Sequence, residues 1–230
     1  MPDDRKPGKP LVIYGNGSVA QVAYEYFTHD SGYRVLGFTV ERSVLRETSM
    51  FDLPVIPFDE VEQVYPPGST TMFVAVGYLQ RNRVRTRIYH EAKSKGYRLA
   101  SYVSSRAFVW QNVAIGENCF ILENNVLQPF VSIGNDVFLW SGNHLGHHSR
   151  IGDHCFISGH VIICGFVDVG ASCLFGVNST IGNNIRIGAD TVVGAGALIV
   201  HDTPPGTKFR GRLAEVADPS APRRTKPLVQ

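Results

Sequence analysis

Short apolar segments alternate with amphipathic ones along residues 11–103. The segments LVIY, RVLGF, TMFVAV and RLASYV predict β-strands at 11–14, 34–38, 71–76 and 98–103. Helical patterns lie between them, around 19–27 and along the polar stretch 80–96. Alternation of strands and helices predicts a parallel sheet with helices packed on its faces.

From Val103 onward the apolar positions follow a different period. Every sixth residue through Ile199 is apolar, without an insertion, and glycine often follows it, as in IGEN, IGND, LGHH and IGDH. A fixed period of six predicts a β-solenoid, with the aliphatic side chain in the core and a small residue four positions later in a tight corner. Three hexads then make one triangular coil of about 18 residues.

The change of period divides the chain into three parts. Residues 1–103 are predicted to form a small Rossmann-like α/β domain, 104–216 a parallel β-helix, and 217–230 a flexible tail. Three of the four cysteines occupy the small-residue slot, and no CxxC motif occurs. We therefore expect buried, unreactive cysteines in place of a zinc or redox site.

Charge and composition exclude several classes of partner. The net charge is +2, and Lys and Arg are scattered, which gives no reason to expect binding to nucleic acid or to an anionic membrane. No apolar run approaches the roughly 20 residues that a membrane span needs, and the polar N-terminus lacks a signal-peptide core. A cytoplasmic protein is the expectation.

Five of the eight histidines lie between Trp140 and His160. Zinc can take three histidines, and γ-class carbonic anhydrases build such sites on β-helices, but His144, His147 and His148 do not match that ligand pattern. We expect no metal. His147 follows a core aliphatic by two residues, so it is predicted to face outward near a corner, where it could act as a base on a bound substrate.

A glycine-rich loop lies between the first predicted strand and helix. Gly15, Asn16, Gly17 and Ser18 begin the sequence GNGSVA, which fits G-x-G-x-x-A. Such glycines let the backbone approach a pyrophosphate at the helix N-terminus. Glu41 is a rough candidate for a ribose contact, but an oxidoreductase is disfavoured because the domain is short and a β-helix supplies no hydride acceptor.

An α/β domain followed by an insertion-free hexapeptide β-helix resembles the NeuD/PglD-like bacterial sugar acyltransferases, which include sialic acid O-acetyltransferases and UDP-bacillosamine N-acetyltransferases. The resemblance covers about residues 10–215. It implies a left-handed β-helix, a homotrimer and the use of acetyl-CoA. It also implies a substrate that is a nucleotide-linked amino sugar, or sialic acid in the O-acetylating branch.

The resemblance also assigns roles to residues of the β-helix. The sequence HHSRIG places His147 where the family has its catalytic base, and His148 where bacillosamine-type enzymes carry an acidic residue. Gly165, one coil after His147, is implied in acetyl-CoA binding and in stabilising the oxyanion. The other residues implied in acetyl-CoA binding are Val177, Asn183 and Ala195.

The substrate contacts implied by the resemblance lie mainly in the first domain. The loop from Gly15 to Ser18 would hold the sugar-linked phosphates. Val40 and Glu41 stand where bacillosamine-type enzymes carry paired aspartates that contact the uracil. Gly77, Tyr78 and His144 are further candidates for the substrate site.

The sequence therefore predicts an acetyl-CoA-dependent N-acetyltransferase that acts on the amino group of a nucleotide-linked (dideoxy) amino sugar for a surface glycan. One alternative is an O-acetyltransferase acting on a sialic-acid-like sugar. Another is a trimeric scaffold that binds a nucleotide sugar without catalysing transfer.

Overall fold

The computed structural model describes residues 8–211, and the predicted tail at 217–230 lies outside them. The first part is an α/β domain with one sheet in the order β3-β4-β2-β1-β5. Its strands are Lys9–Tyr14 (β1), Tyr33–Val40 (β2), Ser49–Met50 (β3), Leu53–Pro57 (β4) and Thr71–Val74 (β5). Its helices are Ser18–His29 (α1), Val61–Val64 (α2) and Arg83–Ser94 (α3), with a 3-10 turn at Arg42–Val44.

The α/β sheet confirms three of the four predicted strands and corrects the fourth. Strands β1, β2 and β5 are parallel neighbours, as expected. The segment 98–103 does not close this sheet: only Leu99 makes a single parallel bridge, to Met72. The hexad register has already begun there, so the end of the segment becomes the first β-helix strand. The pattern also missed β4, which begins and ends beside prolines, residues that usually interrupt strands.

The second part is a β-helix of two-residue parallel strands stacked into three faces. The first face contains Tyr102–Val103 (β6), Phe120–Ile121 (β9), Phe138–Leu139 (β12), Phe156–Ile157 (β15), Leu174–Phe175 (β18), Val192–Val193 (β21) and Lys208–Phe209 (β23). The second face contains Phe108–Val109 (β7), Val126–Leu127 (β10), His144–Leu145 (β13), Ile162–Ile163 (β16), Thr180–Ile181 (β19) and Leu198–Ile199 (β22). The third face contains Ala114–Ile115 (β8), Ser132–Ile133 (β11), Arg150–Ile151 (β14), Asp168–Val169 (β17) and Arg186–Ile187 (β20).

After the first coil, the corners of the β-helix each turn on one residue with a left-handed backbone. These residues recur at every sixth position from Asn118 to Gly196, with φ between 54° and 80°. Asn, Asp and Gly tolerate this conformation best, and they fill many of the corners. Phe130 and Phe166 are exceptions, because bulky side chains rarely adopt this backbone.

The three faces of the β-helix form a triangular prism. The aliphatic side chains of the hexads form its interior, as the period predicted. Cys119, Cys155 and Cys173 are fully buried among them and are not in disulfides. Each of these thiols lies within 3.1–3.3 Å of a glycine carbonyl oxygen in the following hexads. The prediction of buried structural cysteines is confirmed.

The α/β domain packs on the outside of the first face. Phe120, Phe138 and Phe156 occupy the outward position of three successive strands, and they belong to the same buried cluster as Phe27 and Phe73 of the α/β domain. The Phe73 ring lies 5.3 Å from Phe120 and 5.8 Å from Phe138, centroid to centroid. An aromatic ladder that would be unfavourable in water is thereby covered, which fixes the α/β domain against this face.

Arg85 of α3 adds a polar contact between the two domains. Its side chain is completely buried, and its Nε donates to Asp136 Oδ1 at 3.0 Å. Its Nη2 donates to the carbonyl oxygens of His154 (3.0 Å) and Cys155 (3.2 Å), and its Nη1 donates to that of Gly77 at 3.3 Å. The guanidinium therefore ties the loop after β5 to two coils of the β-helix.

Within residues 8–211, none of the helices has the length and apolar character needed to cross a membrane.

Candidate active site

The glycine-rich loop lies at the carboxyl edge of the α/β sheet. Gly15 has φ +126°, and a β-carbon there would come within 2.8 Å of the Ala75 carbonyl oxygen, so only glycine fits. Gly17 caps α1, and nothing lies within 4 Å of the place its β-carbon would occupy. Asn16 and Ser18 flank this open space. The loop therefore offers backbone N–H groups at a helix N-terminus, the arrangement that anions favour.

Val40 and Glu41, the candidates for contact with the nucleotide base at the end of β2, already make contacts within the protein. The Val40 side chain lies in the core, and its carbonyl oxygen accepts a hydrogen bond from the Phe58 N–H at 2.8 Å. Glu41 forms a two-oxygen ion pair with Arg87, at 3.0 and 3.2 Å. These contacts count against a direct role for either side chain in holding a nucleotide base.

The loop after β5 presents Tyr78 toward the first face. Tyr78 is 58% exposed, and its ring packs edge-on against Phe156 with the centroids 5.0 Å apart. Gly77 lies next to Val19 at the start of α1. Because β1 and β5 are parallel neighbours, this loop and the glycine-rich loop lie side by side.

His147 and His148 lie at the corner between the second and third faces, which we call the histidine corner. Both side chains are exposed, and their Nδ1 atoms are 3.1 Å apart. The backbone N–H of His147 donates to Gln128 Oε1 at 2.9 Å. Among the described residues, Nε2 of His147 has no hydrogen-bond partner and so can meet a substrate.

Gly165 lies directly beneath the His147 ring, as the 18-residue coil predicted. A β-carbon at Gly165 would be 3.0 Å from Cε1 and 3.1 Å from Nε2 of that imidazole. The N–H of Gly165 donates to Asn183 Oδ1 at 3.0 Å. This N–H is therefore occupied, which counts against Gly165 as an oxyanion donor, while Asn183 joins the same stack.

The remaining candidates lie away from this stack. Val177 and Ala195 belong to the corner between the first and second faces, one coil apart. His144 lies on the second face itself, between Val126 and Ile162 in the ladder. One chain thus divides the residues implied in acetyl-CoA binding between two corners.

Comparisons with known proteins agree with this architecture. A family model described as bacterial transferase hexapeptide (six repeats) matches residues 130–165. PerB from Caulobacter crescentus, solved with CoA and GDP-perosamine, is 26% identical with a TM-score of 0.77, covering 86% of this chain and 92% of PerB. The chain is a hexapeptide-repeat acyltransferase, and over both domains it is similar to the NeuD/PglD-like sugar acyltransferases.

Two further structures resemble this acyltransferase. A histidine-to-asparagine variant of perosamine N-acetyltransferase from Caulobacter crescentus is 26% identical, with a TM-score of 0.79, covering 88% of this chain and 93% of that one. The acetyltransferase domain of PglB from Neisseria gonorrhoeae FA1090 shares the fold, at 22% identity and a TM-score of 0.79, covering 89% and 97%. No curated protein sequence matches the acyltransferase.

The residues that join the two domains of this acyltransferase are not among the predicted site residues. His154 is one of these residues, because its Nδ1 lies 2.9 Å from Asp136 Oδ2 in the network around Arg85. The sequence does contain one indication of where the domains meet. An outward aromatic residue recurs every eighteen positions, at Phe120, Phe138 and Phe156. Between residues 8 and 211, no group of three His, Cys, Asp or Glu side chains is placed to hold a metal ion.

Replacing Gly165 with alanine should disable the site without unfolding it. The φ of Gly165 is one that alanine can adopt, and the three heavy atoms nearest to the new methyl group all belong to the His147 ring. We expect kcat to fall on the order of 10²-fold, because small displacements of a catalytic group have large effects. The melting temperature should stay nearly constant.

A double-mutant cycle tests the cause of that loss. In a His147→Ala background, Gly165→Ala should change kcat by less than about twofold, because the ring that it displaces is gone. A further large loss in that background would instead show that Gly165 acts on acetyl-CoA directly.

Proposed function

We propose that this acyltransferase transfers an acetyl group from acetyl-CoA to the amino group of a nucleotide-linked amino sugar, with His147 as the general base. The observation that carries the proposal is the likeness over both domains to PerB, whose solved complex holds CoA and GDP-perosamine. The exposed His147 and the open glycine-rich loop supply the two chemical functions that such a reaction needs.

The proposed chemistry uses one base. The sugar amine attacks the thioester carbonyl carbon, so a C–N bond forms and the carbonyl becomes an oxyanion. Nε2 of His147 removes a proton from the attacking nitrogen and returns it to the sulfur when the C–S bond breaks. A base in this position typically contributes about 10²–10⁴-fold to the rate.

The shape of the prism supports a site shared between copies. The α/β domain covers the first face, whereas His147 lies at the histidine corner, the vertex opposite that face. A sugar nucleotide held at the glycine-rich loop would therefore meet the His147 of another copy. Gly165 and Asn183 lie at one corner, whereas Val177 and Ala195 lie at another. This separation fits an acetyl-CoA molecule that is bound between two copies and contacts one corner of each.

The second face has the character of a contact surface between copies. Its outward ladder includes Phe108, Ile162 and Leu198, all exposed and apolar. The outward residues of the third face include Arg150, Asp168 and Arg186, which suit water. Exposed apolar residues of this kind favour association, and a homotrimer, the assembly implied by the family resemblance, would cover them.

A thiol-release assay tests the proposed reaction. Acetyl-CoA would be paired in turn with UDP-, dTDP- and GDP-linked 3-amino and 4-amino sugars and with free sialic acid. We expect turnover on one amino sugar and none on sialic acid. Turnover on sialic acid alone would assign the protein to O-acetylation, and binding of a nucleotide sugar without turnover would favour a scaffold.

Mixing two inactive variants tests whether the site is shared. Gly17→Glu should fold, because its φ of −88° suits any residue and its surroundings are open, but its carboxylate would repel the sugar-linked phosphates. His147→Ala should lack the base. After mixed refolding in equal amounts, about a quarter of the sites would combine two intact halves and regain activity.

The control for this mixture is each variant refolded alone, which should stay inactive. Restoration should follow the fraction of mixed trimers, measured by native mass spectrometry. A mixture that forms mixed trimers but stays inactive would show that both halves of the site come from the same chain.

A further inference from the structure

Three aromatic rings stack along the histidine corner. Phe130, His148 and Phe166 stand one coil apart from one another, and the His148 ring lies between the two phenyl rings. Its centroid is 4.5 Å from that of Phe130 and 4.8 Å from that of Phe166, with interplanar angles of 26° and 13°. The His148 ring is thereby held on both faces.

The two phenylalanines are unfavourable where they stand. Each has a left-handed backbone, with φ of 66° for Phe130 and 58° for Phe166, which bulky residues seldom adopt. Each is also more than half exposed, at 58% and 52%. In contrast, the next corner in the same column is Asn184, which suits this backbone. Backbone strain of this kind concentrates at functional sites.

Phe166 also contacts His147. Its ring lies 5.0 Å from that of His147, edge to face at 88°, while its own face covers His148. A contact of 3.1 Å between the Nδ1 atoms of His147 and His148 needs one nitrogen to donate and the other to accept. When His147 donates, its lone pair is on Nε2, the free nitrogen above Gly165.

We propose that Phe130 and Phe166 are positioning residues, which clamp His148 so that its Nδ1 accepts the Nδ1 proton of His147 and keeps His147 Nε2 unprotonated. The proposal rests on the proposed function of His147 as a base. When Nε2 takes the amine proton, the charge on His147 is stabilised through the Nδ1–H bond to His148. Passage of that proton to the departing sulfur restores the pair.

Among residues 8–211, no ion pair includes either imidazole. The polar partner of the His147 side chain is therefore another imidazole, which must be fixed in place to be effective. A stacked ring can fix a plane without competing for hydrogen bonds. This is a physical reason for placing phenylalanine at two corners where its backbone is disfavoured.

The test is the double variant Phe130→Asn with Phe166→Asn. We expect kcat to fall about 10-fold with KM within about twofold, because substrate binding is untouched while the base loses its orientation. We also expect Tm to rise by about 2–4 °C for each site, because asparagine relieves the left-handed strain. A residue with a merely structural role would lower Tm when removed.

Two matched variants control for side effects. Phe130→Tyr with Phe166→Tyr keeps both rings and should retain nearly all of the activity. Ser172→Asn changes a left-handed corner elsewhere in the prism, with φ of 60°, and should leave kcat unchanged. An unchanged kcat in the double asparagine variant would overturn the proposal, and so would loss of the trimer in parallel with activity.

Imidazole ¹⁵N spectra of the resting protein separate this proposal from the proposed function. They should show the Nδ1–H tautomer of His147 in the wild type and a mixture of tautomers in the asparagine variant. If the enzyme is inactive on every sugar but shows these spectra, the proposed reaction is wrong, whereas the proposed positioning of His148 by the two phenylalanines holds. Identical spectra in the wild type and the asparagine variant would refute the proposed positioning role of Phe130 and Phe166.

Discussion

Replacing His147 with alanine is expected to lower kcat by about 10²–10⁴-fold, the usual contribution of a general base. The ring is exposed, and its polar contact within the chain is the Nδ1 atom of His148 at 3.1 Å. Its removal therefore costs little folding free energy, and the free energy of unfolding should change by less than about 0.5 kcal/mol. The thiol-release assay measures the loss.

His29→Ala is the matched control, because that histidine is also exposed but lies at the end of α1 in the α/β domain, away from the histidine corner. It should keep full activity. KM for the sugar should change little in His147→Ala, because the base acts in the transition state more than in binding. Activity within threefold of wild type would remove His147 as the base and direct attention to His144 or His148.

Replacing Arg85 with leucine is expected to destabilise the protein by about 3–5 kcal/mol. The substitution leaves the Asp136 carboxylate completely buried without its cationic partner. The carbonyl oxygens of His154 and Cys155 lose a donor in the same step. Leucine also cannot reproduce the contact of the guanidinium with the Phe138 ring, 4.4 Å from its centroid.

Circular dichroism at 222 nm suits this measurement, because the helices of the described residues all lie in the α/β domain. Urea unfolding followed at this wavelength reports on the domain that Arg85 anchors. Arg83→Leu, on the same helix but exposed, is the control and should shift stability by less than about 0.5 kcal/mol. A loss below 1 kcal/mol for Arg85→Leu would show that the contacts of Asp136 with His154 and Asn118 are sufficient to hold the buried carboxylate.

Which residues are neighbours within the β-helix could be predicted from the sequence, because the positions follow from a fixed spacing along the chain. The period of six placed the aliphatic residues of the hexads in the core and three of the four cysteines in a corner slot. Since neighbouring coils differ by eighteen residues, the sequence also placed Gly165 beneath His147. Local periodicity is sufficient here because each coil packs only on the next one.

Relations between the domains could not be obtained in this way. Arg85 and Asp136 are 51 positions apart and belong to different periodic patterns, so no register connects them. The engagement of Glu41 by Arg87 also depends on how α3 lies against the sheet. Both contacts depend on how elements that are distant in sequence pack against each other.

The sequence by itself determined the β-helix, the glycine-rich loop and the identity of the exposed histidine pair. The tertiary structure alone decided which face the α/β domain covers, and therefore that His147 lies at the vertex opposite it. The eighteen-residue spacing also places Phe130 and Phe166 on either side of His148, but only the structure shows the left-handed backbone of both residues. The hexad repeat fixes which side chains point outward, but what an outward side chain meets depends on the surfaces that pack against it.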